Sequence, residues 1–368
     1  MPARYRADQI GSLLRPPELL AARAAAAEGR LPADELRAVE DRLILDALAR
    51  QRATGIDVLT DGEFRRGAFL TDIHDAVEGF VAERVVLEWH GPGGGAEGSV
   101  APVVGGRLRP RRPLVQHEAT FLRDHAGGPY KVAVPMPSQL AAVAYKPGVT
   151  DRAYPTRAEL LADFTALIRR EVQGLVELGV PYVQLDAPFY TYYADPAMRD
   201  RLRQVGLDPD QAFDDALAAD TACLADLARP GMVLAVHLCR GNSRSRWIAE
   251  GGYDQIAEKL FGMLPVDAFL LEYDSPRAGD FGPLRFVPRG KTVVLGLVTT
   301  KDPALEPPDA LRRRIDQAAR YVPLDDLALS PQCGFASTAA GNLLTPDEQW
   351  RKLELVAQTA RQVWGDAL

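Results

Sequence analysis

Residues 157–186 read RAELLADFTALIRREVQGLVELGVPYVQLD. Leu160, Phe164, Leu167, Ile168 and Leu175 recur at helical spacing, Gly179 interrupts the pattern, and the short apolar run VPYVQLD follows. A helix that stops at a glycine and hands over to a continuously apolar strand is the repeating unit of a parallel sheet covered on both faces. The unit recurs in both directions. Upstream, residues 33–53 (ADELRAVEDRLILDALARQRA) run to Gly55 and then IDVLTDGEF. Downstream, residues 210–229 precede GMVLAVHLC, 253–264 precede VDAFLLEYD and 309–320 precede DDLALSPQCG; a last helical pattern covers 346–364. Eight apolar runs fit strands, near 4–10, 56–60, 130–135, 181–186, 232–238, 266–272, 292–297 and 326–330. Eight strands alternating with helices predict an α/β fold of the (β/α)8 TIM-barrel type, and no G-x-G-x-x-G follows the first run to favour a dinucleotide-binding sheet.

One segment breaks the rhythm. Residues 84–128 carry two β-rich runs around the Gly-rich turn GPGGG and predict a β-hairpin inserted after the second strand. We expect one domain over 1–368 with this insertion inside it. The formal net charge of -7 offers no basic face for nucleic acid. The N-terminus MPARYRADQIGSLLRPPELL lacks the apolar core of a signal peptide, and no apolar run is long enough to span a bilayer. Three cysteines in 368 residues are no disulfide framework and fit a reducing compartment, so the cytoplasm is the expected location.

In a barrel of this type, chemistry sits where strands end and loops begin. The fifth run ends in His237 and Cys239, the sixth in Glu272 and the eighth in Cys333. With a strand period of two, His237 and Cys239 point the same way. One imidazole, two thiolates and one carboxylate make a tetrahedral set for zinc. Two thiolates and a carboxylate leave such a centre negatively charged, suited to holding an incoming thiol as a reactive thiolate, with Glu272 the ligand most easily displaced. Singly, a strand cysteine is more often a small buried apolar residue, and a strand-end histidine a satisfied hydrogen-bonder. The H-x-C pair with a second cysteine at another strand end shifts the balance to a metal. Cys223, mid-helix in DTACLADLA, reads as packing.

At these residues the chain resembles the cobalamin-independent methionine synthase family, and within it the short single-barrel bacterial members. The motifs are Ile10-Gly11-Ser12, Asp61-Gly62-Glu63, Gln184-Leu185-Asp186, His237-Leu238-Cys239, Glu272 and Pro331-Gln332-Cys333-Gly334. The resemblance implies a zinc-dependent thiol S-methyltransferase that activates homocysteine for attack on a methyl donor, of folate type or simpler, giving methionine. It places Ile10, Gly11 and Ser12 on the amino-acid carboxylate and Glu63 and Asp186 on its ammonium group. Such a zwitterion needs donors at one end and buried carboxylates at the other.

Three departures from the family pattern bear on this. Full-length members carry a second, N-terminal barrel that helps bind the folate donor; one barrel is expected here. The family's catalytic histidine after the seventh strand is absent, and Lys301 in GLVTTKDPALE stands nearest its place, as a candidate catalytic group. The family's Asp-Glu-Pro after the fourth strand is Asp186-Ala187-Pro188, followed by Phe189, Tyr190, Tyr192 and Tyr193, which suit either a wall for the donor or an apolar loop anchor. Arg240 suits a substrate anion, or a salt bridge that orients its loop. The same family includes epoxyalkane:coenzyme M transferases, so alkyl transfer to another thiol, with Arg240 or Lys301 on a sulfonate, is the alternative. A structural zinc protein is a third reading, which ligands spread over three strand ends disfavour.

Overall fold

The computed structural model describes residues 5–70 and 73–365. Residue 4 of the expected first strand and both ends of the expected 1–368 domain lie outside the described residues. The strands are β1 (Val77–Trp89), β2 (Gly95–Pro110), β3 (Lys131–Pro135), β4 (Tyr182–Asp186), β5 (Val233–Leu238), β6 (Ala268–Glu272), β7 (Thr292–Val298) and β8 (Leu327–Pro331). β3 to β8 form one parallel sheet in sequence order, each strand beside the next. Helices connect them. The helix Arg157–Glu177 starts where the Thr156 side chain accepts the Glu159 N–H, and it buries Leu160, Phe164, Ile168, Val172 and Leu175. Gly179 after it (φ +72) and Gly55 after the helix Ala33–Thr54 (φ +79) take the left-handed turn that releases the chain into the next strand.

Both faces of the sheet are buried, as the continuous apolar runs require. Val183, Leu185, Leu234, Val236, Phe269 and Leu271 pack toward the helices. The alternate residues Tyr182, Val233, Ala235, Ala268, Leu270, Val294 and Ala328 form a separate cluster with Ile10 and Val58. Among the described residues no helix is long and apolar enough to cross a membrane.

The two runs expected as the first strands, 4–10 and 56–60, are extended segments joined to the sheet by single bridges rather than regular strands. Leu329 donates to the Arg6 carbonyl and Asp8 to that of Leu329, both at 2.9 Å; Asp57 donates to the Ala7 carbonyl, and Lys131 to that of Leu59, also at 2.9 Å. Side chains take the remaining ladder positions. Asp57 Oδ2 accepts the Arg6 and Ala7 N–H groups at 2.7 and 2.9 Å, and Gln51 both accepts from Thr60 N–H and donates to its carbonyl.

β1 and β2 pair antiparallel from Val77↔Pro110 to Trp89↔Gly95. This pair begins and ends earlier than the 84–128 expected, and Gln116–His125 is a helix, not strand. Ala119 and Leu122, three apart, are its buried apolar positions, a helical period. The start at Val77 follows the short helix Ile73–Ala76 with no glycine or proline between them.

Candidate metal centre and substrate site

The period of two that faces Val233 and Ala235 inward carries His237 and Cys239 to the same side at the end of β5. The same parity brings Gln184 and Asp186 inward on β4 and Glu272 on β6. The polar residues therefore sit directly beyond the apolar interior layer.

His237, Cys239 and Cys333 offer ligand atoms that all lie within 4.8 Å of one another, and all three residues are buried. The two sulfurs are 3.6 Å apart. His237 Nδ1 lies 3.2 Å from the Leu270 carbonyl, which fixes the ring and leaves Nε2 as the lone-pair nitrogen. That Nε2 is buried with no hydrogen-bond partner in the protein. An orphaned imidazole nitrogen facing two sulfurs fits a zinc ion, whose preferred donors are these. The Cys239 thiol against Cys333 holds Cys333 well below the usual thiol range, helped by the His237 ring, while the same contact and burial push Cys239 up.

Glu272 is beside this group rather than in it. Its Oε2 accepts the Arg240 backbone N–H at 2.8 Å, and its Oε1 accepts Arg277 Nε at 3.2 Å. Burial alone would raise its pKa; the charges of Arg240, Lys301 and Arg277 outweigh it, so Glu272 is held ionised below its ordinary range.

Glu63 and Asp186 are both buried. Glu63 Oε2 has no partner, and burial pushes the carboxyl up to about 7, with the charges of Arg66 and Arg15 pulling against it. Glu63 adopts φ +56, a left-handed conformation uncommon for such a side chain, supported by its N–H donating to Asp61 Oδ1 at 2.9 Å. Asp186 Oδ1 accepts from Gln184 Nε2 at 2.8 Å, and burial raises its pKa despite the nearby His237. Ile10 packs in the interior cluster. A Cβ on Gly11 (φ +136) would stand 3.7 Å from Glu63 Oε1, and one on Gly334 would come within 1.8 Å of Ser12 Oγ. The Ser12 carbonyl accepts the Phe335 N–H at 2.8 Å. The segment 10–12 therefore joins the Glu63 turn to the Cys333 loop.

Arg240 and Lys301 both have partners within the protein, and Arg240 takes the loop-orienting role, one of its two expected readings. Arg240 is fully buried; its guanidinium donates to the carbonyls of Gly251 and Glu272 and to Tyr253 Oη, and stacks 4.6 Å over the Tyr253 ring. Lys301 Nζ donates to Asn242 Oδ1 at 2.6 Å, to the Gly241 carbonyl at 3.1 Å and to that of Arg246 at 3.3 Å. Both cations hold the loop after Cys239 through these bonds. Of the aromatic run, Tyr190 is tied to Asp220 at 2.7 Å and packs on Phe213 as an anchor, while Thr191 donates to the Cys239 carbonyl at 2.9 Å.

Sequence reading assigned no role to three contributors. Asn242 and Asn342 link the Cys239 and Cys333 loops: Asn242 Nδ2 donates to the Gly334 carbonyl at 2.7 Å, and Asn342 Nδ2 to Asn242 Oδ1 at 2.9 Å. Arg277 is the third, and its place five residues beyond Glu272 on one loop was the available signal.

Residues 141–347 match the family model described as the catalytic domain of cobalamin-independent synthase. The chain is 38% identical to the uncharacterized protein YxjH of Bacillus subtilis, over 98% of this chain and 95% of that one. The chain belongs to the cobalamin-independent synthase family. It carries the catalytic domain of a methionine synthase-like enzyme, in the short form. The methionine synthase of Pyrococcus abyssi is 26% identical over 89% of this chain and 85% of its own length. Among solved structures, a Listeria monocytogenes protein assigned as a vitamin-B12-independent methionine synthase superposes with a TM-score of 0.74 at 29% identity, covering 99% of both chains. A B12-independent methionine synthase from Shewanella shares the fold with a TM-score of 0.74 at 20% identity, over 98% of both chains.

Proposed function

We propose that this enzyme transfers a methyl group to the sulfur of homocysteine, giving methionine, at a zinc centre held by His237, Cys239 and Cys333 with Glu272 alongside as the exchangeable fourth ligand. The observation that carries the reading is the convergence of those three ligands with two buried carboxyls close by, Glu63, whose Oε2 has no partner, and Asp186. Zinc bound there lowers the pKa of an incoming thiol and keeps its sulfur nucleophilic.

The chain's own residues do the rest. Glu63 and Asp186 receive the ammonium group, whose positive charge draws both carboxyls into their ionised form. The backbone of Ile10-Gly11 and the Ser12 hydroxyl face the carboxylate. Lys301 and Arg240 keep the loop after Cys239 in place, so that thiol and donor meet in one geometry. Their role is positioning, since their donors have internal acceptors. In the transfer, the S–C bond forms as the donor's N–C bond breaks; the thiol's proton leaves to solvent and the donor nitrogen takes one from solvent, so that S–H and N–CH3 become S–CH3 and N–H. A methylated folate or pterin is the donor class the family implies.

We further read the parallel sheet and its two bridged segments as a single eight-staved (β/α)8 barrel over 1–368, with the antiparallel pair as its insertion. The bonds from 6–8 to β8 and from 59 to β3 support closure. Three free cysteines suit a reducing cytoplasm. The test is formation of methionine from homocysteine and isotopically labelled methyl-tetrahydrofolate, as mono- and polyglutamate, by zinc-loaded protein. Label in methionine that requires zinc supports the reading. No transfer from either donor, with homocysteine failing to bind, contradicts it.

A further inference from the structure

The contacts that hold Glu272 aside lead outward to the tip of the hairpin. Arg277 spans two carboxylates: Nε donates to Glu272 Oε1 at 3.2 Å, and its terminal nitrogen to Asp274 Oδ1 and Oδ2 at 3.1 and 3.3 Å. The guanidinium lies 4.5 Å over the ring of Trp247. Trp247 is itself clamped from the other side. His90 N–H donates to the Trp247 carbonyl at 2.7 Å and Trp247 N–H to that of His90 at 3.2 Å. Gly91 lies so close under the indole that a Cβ would come within 2.4 Å of it. Arg246, next in line, pairs with Glu97 at 2.6 Å and stacks 4.9 Å over Trp89. The strands of the hairpin are largely exposed, and its end meets the loop after Cys239 at Arg246 and Trp247.

We propose that Arg277 is a positioning residue that holds Glu272 back from the fourth coordination position of the metal, so that the substrate thiol displaces it readily, and that the hairpin tip sets Arg277 through Trp247. The proposal rests on the zinc reading above. Glu272 and the substrate thiol compete for one position. Both Glu272 oxygens already accept hydrogen bonds, one of them from a guanidinium, which draws electron density from the carboxylate and weakens it as a ligand against the thiolate, so the clamp biases the position toward sulfur. The planar fork reaches both carboxylates while lying over the indole, an arrangement the compact, tetrahedral ammonium of lysine does not reproduce.

The test measures two affinities: zinc, by competition with a chromophoric chelator, and homocysteine, by calorimetry on zinc-loaded protein. The variants are R277Q, R277K and W247L, each alone and with E272Q. R277Q is expected to bind zinc about tenfold more tightly and homocysteine about tenfold more weakly, the scale of outer-shell effects on metal sites. R277K and W247L leave every charge in place and are expected to shift both affinities in the same directions. In the E272Q background the homocysteine shift should vanish. If one variant fails to fold, the others carry the test. Unchanged homocysteine affinity in R277Q and R277K, or a shift that survives E272Q, overturns the proposal. Failure in this form leaves methyl transfer intact, whereas a wild-type protein that binds no zinc removes the reading beneath it.

Discussion

Cys239 and Cys333 stand 94 residues apart in the chain, and their sulfurs lie 3.6 Å from each other at the ends of neighbouring loops. The two sulfurs share this geometry with the free nitrogen of His237, so either thiol is indispensable to a metal. Cys239→Ser and Cys333→Ser are each expected to lower zinc from about one ion per chain to near none, and to abolish turnover. Cys223 is the control: it is buried in a helix, its thiol pushed up to about 12 by burial, and it touches neither sulfur. Cys223→Ala should keep its zinc, as elemental analysis of the purified variants will show.

Glu63 makes the site pH-dependent. Its folded pKa is raised from 4.5 to about 7, mainly by burial. A raised carboxyl holds a proton in the folded state that the unfolded chain has lost. The folded state therefore loses stability as pH rises from 4.5 to about 7, and the penalty persists above that. Glu63→Gln removes it, and the ligand-free variant should be more stable than wild type at about pH 8 by up to ~3 kcal/mol, with no gain below the unfolded pKa. Substrate binding runs the other way. Wild-type KM for homocysteine should rise as pH falls through about 7, where Glu63 takes up its proton, and the variant's KM should be high and flat. Chemical denaturation and a KM profile across this range check both halves.

Asp186 faces the same ammonium group. Asp186→Ala is expected to raise KM for homocysteine about ten- to a hundredfold, the worth of a charge-assisted hydrogen bond. A variant that binds homocysteine as well as wild type does would instead favour a thiol substrate without an ammonium group.

Lys301 donates to three acceptors on the loop from Gly241 to Arg246. Removing it takes their donor from the Gly241 and Arg246 carbonyls, each costing roughly 1–3 kcal/mol where water cannot reach, while Asn242 Oδ1 keeps Asn342. Lys301→Met should therefore lower Tm and turnover together. Lys301→Arg, which keeps the charge and several donors, should retain most of both. Normal Tm with abolished turnover in Lys301→Arg would instead mark the ammonium as a proton donor.

Gly334 is small because Ser12 Oγ occupies the place of its side chain, 1.8 Å from where a Cβ would stand. Gly334→Ala must push apart the segment 10–12 and the Cys333 loop. It is expected to weaken zinc and homocysteine binding together, by an amount equilibrium dialysis can read.

The helix–glycine–strand units were legible because the pattern is local: each helix shows its period, each glycine its left-handed turn, and each strand a continuous apolar run. The sites of His237, Cys239 and Cys333 were legible for the same reason, since strand parity and strand ends decide where they point. What the sequence hid depends on side chains from distant segments. Asp57 and Gln51 take ladder positions from the first two segments, which therefore form bridges in place of strands. Arg240 and Lys301 look like free cations until the backbone carbonyls that receive them are known. Glu272 sits at the expected strand end, but its partners Arg240 and Arg277 are set by loops whose course no periodicity reports.

X-ray absorption at the zinc edge, with and without homocysteine, tests the central claim most directly. Zinc held by His237, Cys239 and Cys333 should show two sulfur neighbours at about 2.3 Å, rising to three when the thiol is added. An unchanged sulfur count on adding homocysteine, or zinc with no sulfur neighbours, would contradict the account.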